Sequence, residues 1–307
     1  MKPLKQNTTI DTALSNISVK YSNDRFAADE ILPTIRVNKS SGKYYKYDKS
    51  HLRSTEDRRA PGSGTHETEY GMAAKGTYQT TEHALKQLVP DEIQAQADSP
   101  LNPRVDATEA LTEKLMIGKE ERLASYMQDT GNLTNNVTLS GTDQWSDYSD
   151  SDPIGDIKTA RQNVHSSILK KPNTLLLGKE VYDALLDHPD VIDRVKYSQF
   201  GAATTDILAR LFDVENVIVG QTGYNDSDEG GTDSLEYIWG KHAWVLYVEP
   251  NPTIKSVSFG YYFKDADREV DRWYDQDRRG TFIRVRDSYD RGIVTDDAAY
   301  LIEDAVA

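Results

Sequence analysis

Not one cysteine occurs in the 307 residues. That removes disulfides, thiolate metal ligands and cysteine nucleophiles together, and it fits synthesis inside a cell. Apolar runs approaching the ~20 residues that span a bilayer are also missing, so no membrane contact is expected. The mean hydropathy of -0.67 and the 28% of charged residues describe a chain suited to water. Its first residues, MKPLKQNTTIDTALSNISVKYSND, have neither an apolar core nor a small-residue cleavage site and do not read as a secretory signal. A basic excess is absent as well. The net charge of -14 argues against a general nucleic-acid binder, which needs a cationic face to release counterions from phosphates. An acidic chain remains compatible with a wall enclosing DNA, because repulsion keeps the packed polymer from adhering.

Catalytic signatures are missing too. The six histidines, His51, His66, His83, His165, His188 and His242, form no HExxH or HxH pair. There is no GxSxG elbow, and no phosphate-cradling glycine loop follows a strand. The acidic clusters at 147–156 and 226–233 read as solvated loops or, alternatively, as a surface ion site. Setting Asp150 at position one of a calcium loop puts Ile154 at five and Arg161 at twelve, so that pattern fails. Four tryptophans and eighteen tyrosines fit either a sugar or base platform or, as is commoner, cores and interfaces between subunits. No catalytic, metal-binding or cofactor-binding residue is assigned, and no cofactor is expected.

Five regions remain. Residues 1–25 are polar and read either as a frayed end or as an arm ordered on a neighbour. Residues 37–90 open with KYYKYD (43–48), which alternates aromatics and charges as a strand does. A charged stretch broken by APGSG follows, and strand-like text returns at 67–85. The simplest picture is a long two-stranded finger with a wide charged tip. Two strands alone are marginal in water, so the finger either lies on another surface or is a mobile hairpin of a monomer. Residues 103–129 predict a long helix entered at Pro103, rich in Ala, Leu, Glu and Lys. Residues 153–250 alternate helical patterns with buried strands such as NTLLLG (173–178) and VIVG (217–220), which predicts a sheet covered by helices. Residues 255–307 return to strands.

Read in order, the chain resembles the major capsid proteins of tailed phages with the Hong Kong 97 fold. The likeness rests on RFAADEILPTIRVNKSSGKYYKYDKSHLR (25–53), RRAPGSG (58–64), HALKQLVPDE (83–92) and DATEALTEKLMIGKEERLA (106–124). It continues through LSGTDQWSDYSDSDPIGDIKTA (139–160), KPNTLLLGKEVYDALLDHPDVIDRVKY (171–197), WGKHAWVLYV (239–248) and YDRGIVTDDAAYLIEDAV (289–306). Residues 1–25 depart most from the pattern. The resemblance implies an α+β capsid fold with an N-terminal arm (1–30) and a 31–102 region holding an extended β-hairpin loop (37–85). It further implies a spine helix with the start of a peripheral domain (103–152), an axial α/β domain (153–250) and peripheral return strands (251–307). The implied function is self-assembly into pentamers and hexamers of an icosahedral shell around double-stranded DNA. Scaffold, portal and decoration proteins are the implied partners, with assembly in the host cytoplasm. Lys49, Arg53, Arg58, Arg59, Tyr45 and Tyr47 are the expected contact residues of the finger. An encapsulin-like cargo compartment and, more distantly, a carboxylate-dependent hydrolase are the competing readings.

Overall fold

The computed structural model describes residues 9–11, 14, 15, 18, 26–46, 49, 54, 57–65, 75–97, 101–195, 204–225, 227 and 232–307. In chain order the elements begin with β1 (Thr9–Ile10), α1 (Ala28–Ile31), β2 (Thr34–Arg36), β3 (Ser41–Tyr45), β4 (Lys75–Gln79) and β5 (Thr81–Pro90). Then come α2 (Asp91–Gln96), α3 (Pro103–Gln128), β6 (Asn136–Thr138), α4 (Pro153–Ile168), β7 (Thr174–Gly178), α5 (Lys179–Asp187), α6 (Pro189–Val195) and α7 (Thr205–Leu211). The last are β8 (Asn216–Gly220), β9 (Gly223–Asn225), β10 (Leu235–Tyr237), β11 (Ala243–Leu246), β12 (Gly260–Lys264), β13 (Glu269–Asp275), β14 (Gly280–Ile293) and β15 (Ala299–Glu303).

Two sheets organise the chain. In the larger, the 14-residue β14 is the common partner: β13 pairs with its first half, β12 with its end, and β5 along ten residues. β1 joins antiparallel to β13, and β2 joins parallel to β12. The second sheet runs β6-β15-β11-β7-β8. Its strands alternate between two cores. Leu175, Leu177, Ala243 and Val245 face α5, α6 and α7, whereas Leu176, Trp244 and Leu246 face the rest of the molecule. β7 is buried at every position, as a strand covered on both faces must be.

α3 joins the two sheets. Its 26 residues extend about 39 Å at ~1.5 Å per residue. Ala107 and Leu111 lie on Val89, Val270, Ile283 and Val285 of the first sheet. Three turns on, Leu123, Ala124 and Met127 enter the core shared with Trp239 and Trp244. α4 starts as its sequence dictates: the Asp152 carboxylate accepts from Gly155 N at 2.8 Å, with Pro153 in the first turn.

Two expectations change. Only the end of the predicted finger leaves it: Lys75–Gln79 pairs with β3, but from Thr81 onward the chain pairs with β14 in the body. The return strands do not all rejoin one sheet. β15 inserts between β6 and β11 in the α/β sheet, so that sheet is built from three stretches of chain and not from 153–250 alone. The described residues before α1 pack on their own chain. β1 forms the sheet edge, Leu14 joins the core under α3, and the Ser18 hydroxyl meets Thr112 Oγ1 at 2.8 Å. Arg272 Nη1 stands 3.0 Å from the Asp11 carboxylate, and Arg268 Nη1 donates to Ser18 O.

Candidate assembly surface

The finger leaves the body through a tightly built joint. β3 and β4 pair antiparallel with Gly42 opposite Tyr78 and Tyr44 opposite Gly76. Each tyrosine ring lies over the glycine facing it. A Cβ on Gly76 would come within 2.2 Å of the Tyr44 ring, and one on Gly42 within 2.5 Å of Tyr78 Oη. Covering a strand glycine with a cross-strand aromatic restores the packing the missing side chain forfeits. Both rings then pack on Phe263: Tyr78 stacks on it at a centroid separation of 4.6 Å, and Tyr44 lies tilted against it at 5.1 Å. Tyr44 Oη donates to Ile293 O at 2.9 Å, and Gln79 N donates to Asp290 Oδ2 at 2.7 Å. The sequence signal for this joint was the aromatic alternation of KYYKYD; the glycines' role appears only with register.

The finger residues singled out from sequence divide. Tyr45 ends β3 half-buried. Lys49 Nζ lies 2.7 Å from Asp297 of its own chain. Arg58 and Arg59 are exposed, and Arg59 Nε donates to Ser63 O at 2.7 Å across the Ala60–Ser63 turn. Tyr47 and Arg53 lie outside the described residues. The structure therefore brings Lys49 to the body and leaves the 57–65 turn facing solvent.

Sequence reasoning missed a buried charged joint at mid-helix. Glu120 is fully buried, and its carboxylate accepts from Ala27 N (2.8 Å), Ala28 N (2.9 Å) and Trp239 Nε1 (2.6 Å). One side chain of α3 thereby holds the first turn of α1 and the end of the α/β unit. Burial raises the Glu120 pKa, and the three donated bonds oppose that shift. Its neighbour Lys119 points elsewhere, pairing with Asp29 while its ammonium sits 4.0 Å from the Tyr262 ring centre. Burial lowers the Lys119 pKa.

The other chemical candidates resolve into structural bonds. Trp145, Trp239 and Trp244 are fully buried, donating to Asp156, Glu120 and Met127 O. Asp147, Asp152 and Asp156 each hold local backbone or Trp145, and do not converge on a point. His188 is buried against Ser151, with Nε2 to Oγ at 3.1 Å. Its Nδ1 accepts from Asp190 N, so Nε2 carries the proton, and the Ser151 hydroxyl donates to Asp147 O. That arrangement offers Ser151 no base. His51 and His66 lie outside the described residues. Among the described residues no group of three His, Asp or Glu side chains is placed to hold a metal ion, and no helix is long and apolar enough to cross a membrane.

Solved structures define the class. A phage-related protein from Bordetella bronchiseptica RB50 is similar over 98% of both chains, at 28% identity and a TM-score of 0.78. The capsid protein of cyanophage P-SCSP1u shares the fold over 88% of this chain and 84% of its own, with a TM-score of 0.57 at 12% identity. The described architecture is thus a mixed α+β fold shared with phage capsid subunits. Curated major capsid proteins match nearly end to end: that of Burkholderia phage BcepMu is 27% identical over 98% of both chains, and that of Pseudomonas phage JBD67 is 30% identical over 97% of both. The chain belongs to the phage major capsid protein E family, whose model matches residues 71–255. Its function is to form the capsid of a tailed phage, and its place is the virion shell.

Proposed function

We propose that the chain assembles as pentamers and hexamers of an icosahedral shell around double-stranded DNA, with a structural and not a catalytic role. In this reading the regions take the Hong Kong 97 parts: residues 1–30 the arm, 37–80 the extended loop and 103–128 the spine helix. Residues 153–250 then form most of the axial domain, with 251–307 returning chiefly to the peripheral one. Assembly occurs in the host cytoplasm with scaffold and portal proteins, and decoration proteins bind the finished shell. The observation that carries the reading is the finger. Its base is clamped on Phe263, while its 57–65 turn is exposed and carries Arg58 and Arg59. A rigid base with a solvent-facing charged tip suits a contact on a neighbouring copy, made with Arg53, Arg58 and Arg59 and flanked by Tyr45, Tyr47 and Lys49. Each contact can be modest because many form at once around closed rings.

Electron microscopy of the chain expressed alone tests this directly. Rings or shells are expected from the wild type, and free subunits or capsomers from a variant lacking residues 50–66 or carrying Arg58→Glu and Arg59→Glu. Intact shells from both variants would remove the finger from the assembly mechanism, and a dispersed wild-type monomer would remove the shell reading itself.

A further inference from the structure

The described fold leaves open the outer edge of β5. This strand pairs with β14 along ten uninterrupted positions, from Thr81↔Tyr289 to Pro90↔Gly280, with no bulge. On its other side β3 reaches only as far as Thr80, whose N–H donates to Ser40 O at 2.8 Å. Beyond that point no strand lines the edge among the described residues. Two bonds set the phase. Asp91 N donates to Arg279 O, so odd-numbered residues turn their peptide groups toward β14, while Thr80 and the even-numbered residues turn theirs outward. Glu82, Ala84, Lys86 and Leu88 therefore present open N–H and C=O groups. Exposed edges are ordinarily shortened, bulged or interrupted by proline. Here the only proline, Pro90, stands at the end, and the strand is exposed at six of its first seven positions.

We propose that this edge is a two-fold contact between copies of the chain, in which two β5 strands pair antiparallel about an axis at Ala84. The reason is charge register. Among pairings that bring outward-facing residues opposite one another, the axis at Ala84 sets Glu82 against the partner's Lys86, and the same pair repeats on the other side of the axis. Axes at Glu82 or Lys86 would instead oppose like charges. Ala84 faces its own copy, where a small side chain permits close approach. All three side chains lie on the sheet face away from α3, where Lys86 already rests 5.0 Å over the Phe282 ring. The ladder ends where Ser40 takes up the Thr80 edge, so it is short and centred. The contact is self-complementary, as a two-fold interface requires, and it fuses two six-stranded sheets into one. It rests on the shell-forming reading and names one of the surfaces through which that assembly closes.

The absence of cysteine gives a clean test. Ala84→Cys introduces the single thiol of the chain, and hydrogen-bonded antiparallel partners have Cα atoms about 5.5 Å apart, within disulfide range. Mildly oxidised Ala84→Cys particles are expected to run as dimers on a non-reducing gel. Thr81→Cys, displaced three residues from the axis, is expected to remain monomeric. Separately, Glu82→Lys and Lys86→Glu are each expected to cut shell yield roughly three- to tenfold, and the double exchange to restore it. Rescue counts for the contact only together with the Ala84→Cys cross-link, because Lys86→Glu also sets a carboxylate opposite Arg284 and diagonal to Arg286 within the chain. Normal shells in which Ala84→Cys fails to cross-link, or a double exchange no better than the single changes, would overturn the two-fold pairing and leave the shell reading intact. A wild-type chain that forms no particles would overturn both.

Discussion

Replacing Glu120 tests whether one buried carboxylate holds three segments together. Its Oε1 accepts from Ala27 N and Trp239 Nε1, and its Oε2 from Ala28 N. Glutamine has nearly the same shape but a single acceptor oxygen. Placed where Oε1 stands, that oxygen keeps two bonds, and the amide NH2 then confronts the Ala28 N–H, donor against donor. One buried donor is left unsatisfied, which costs about 1–3 kcal/mol. Alanine leaves all three unsatisfied and opens a void, so Glu120→Ala should cost at least twice as much as Glu120→Gln. Urea unfolding of the unassembled subunit, followed by tryptophan fluorescence, reads this well because Trp239 sits on the carboxylate. The pH dependence follows from the raised pKa of Glu120. A carboxyl whose folded pKa lies above its unfolded value of about 4.3 favours the folded state below that value, and this advantage is lost as pH rises through the folded pKa. The stability gap between wild type and Glu120→Gln should therefore narrow from about pH 4 upward. Equal stability of the two proteins, or an alanine variant no worse than the glutamine one, would refute the account of a three-bond joint.

Two further outcomes follow from the same structure. Gly76→Ala puts a Cβ within 2.2 Å of the Tyr44 ring, and overpacking of this kind costs about 1–3 kcal/mol; protease cleavage within 46–74 should accelerate while the unfolding midpoint of the body hardly moves. His188 and His242 have pKa values lowered chiefly by burial, and each accepts a backbone N–H, from Asp190 and Asp304. Groups held neutral in this way contribute stability above the unfolded histidine value of about 6.5, and it is lost as pH falls from there toward the folded pKa. Denaturant titrations should show a decline between pH 7 and 5 that His188→Gln makes shallower.

Much of the fold was legible residue by residue where local chemistry decides. Pro103 followed by a run of Ala, Leu and Glu specified α3, and Asp152-Pro153 specified the start of α4. An uninterrupted apolar run specified β7, because a strand covered on both faces has no polar position to spare. The alternating aromatics of KYYKYD placed one strand of the finger, and the collinear set of segments placed the family.

What tertiary structure alone decided was partnership. HALKQLVP reads equally well as the finger's second strand or as a body strand, and only pairing with β14 makes it the latter. YLIE looks like the strands before it, yet β15 joins the other sheet. Lys119 and Glu120 look like solvated helix charges, and become a buried joint because α1 and Trp239 close over them. Helix caps and periodicities act over a few residues, so sequence determines them. Strand partners and the burial of a charge depend on segments far along the chain, and those the folded chain alone brings together.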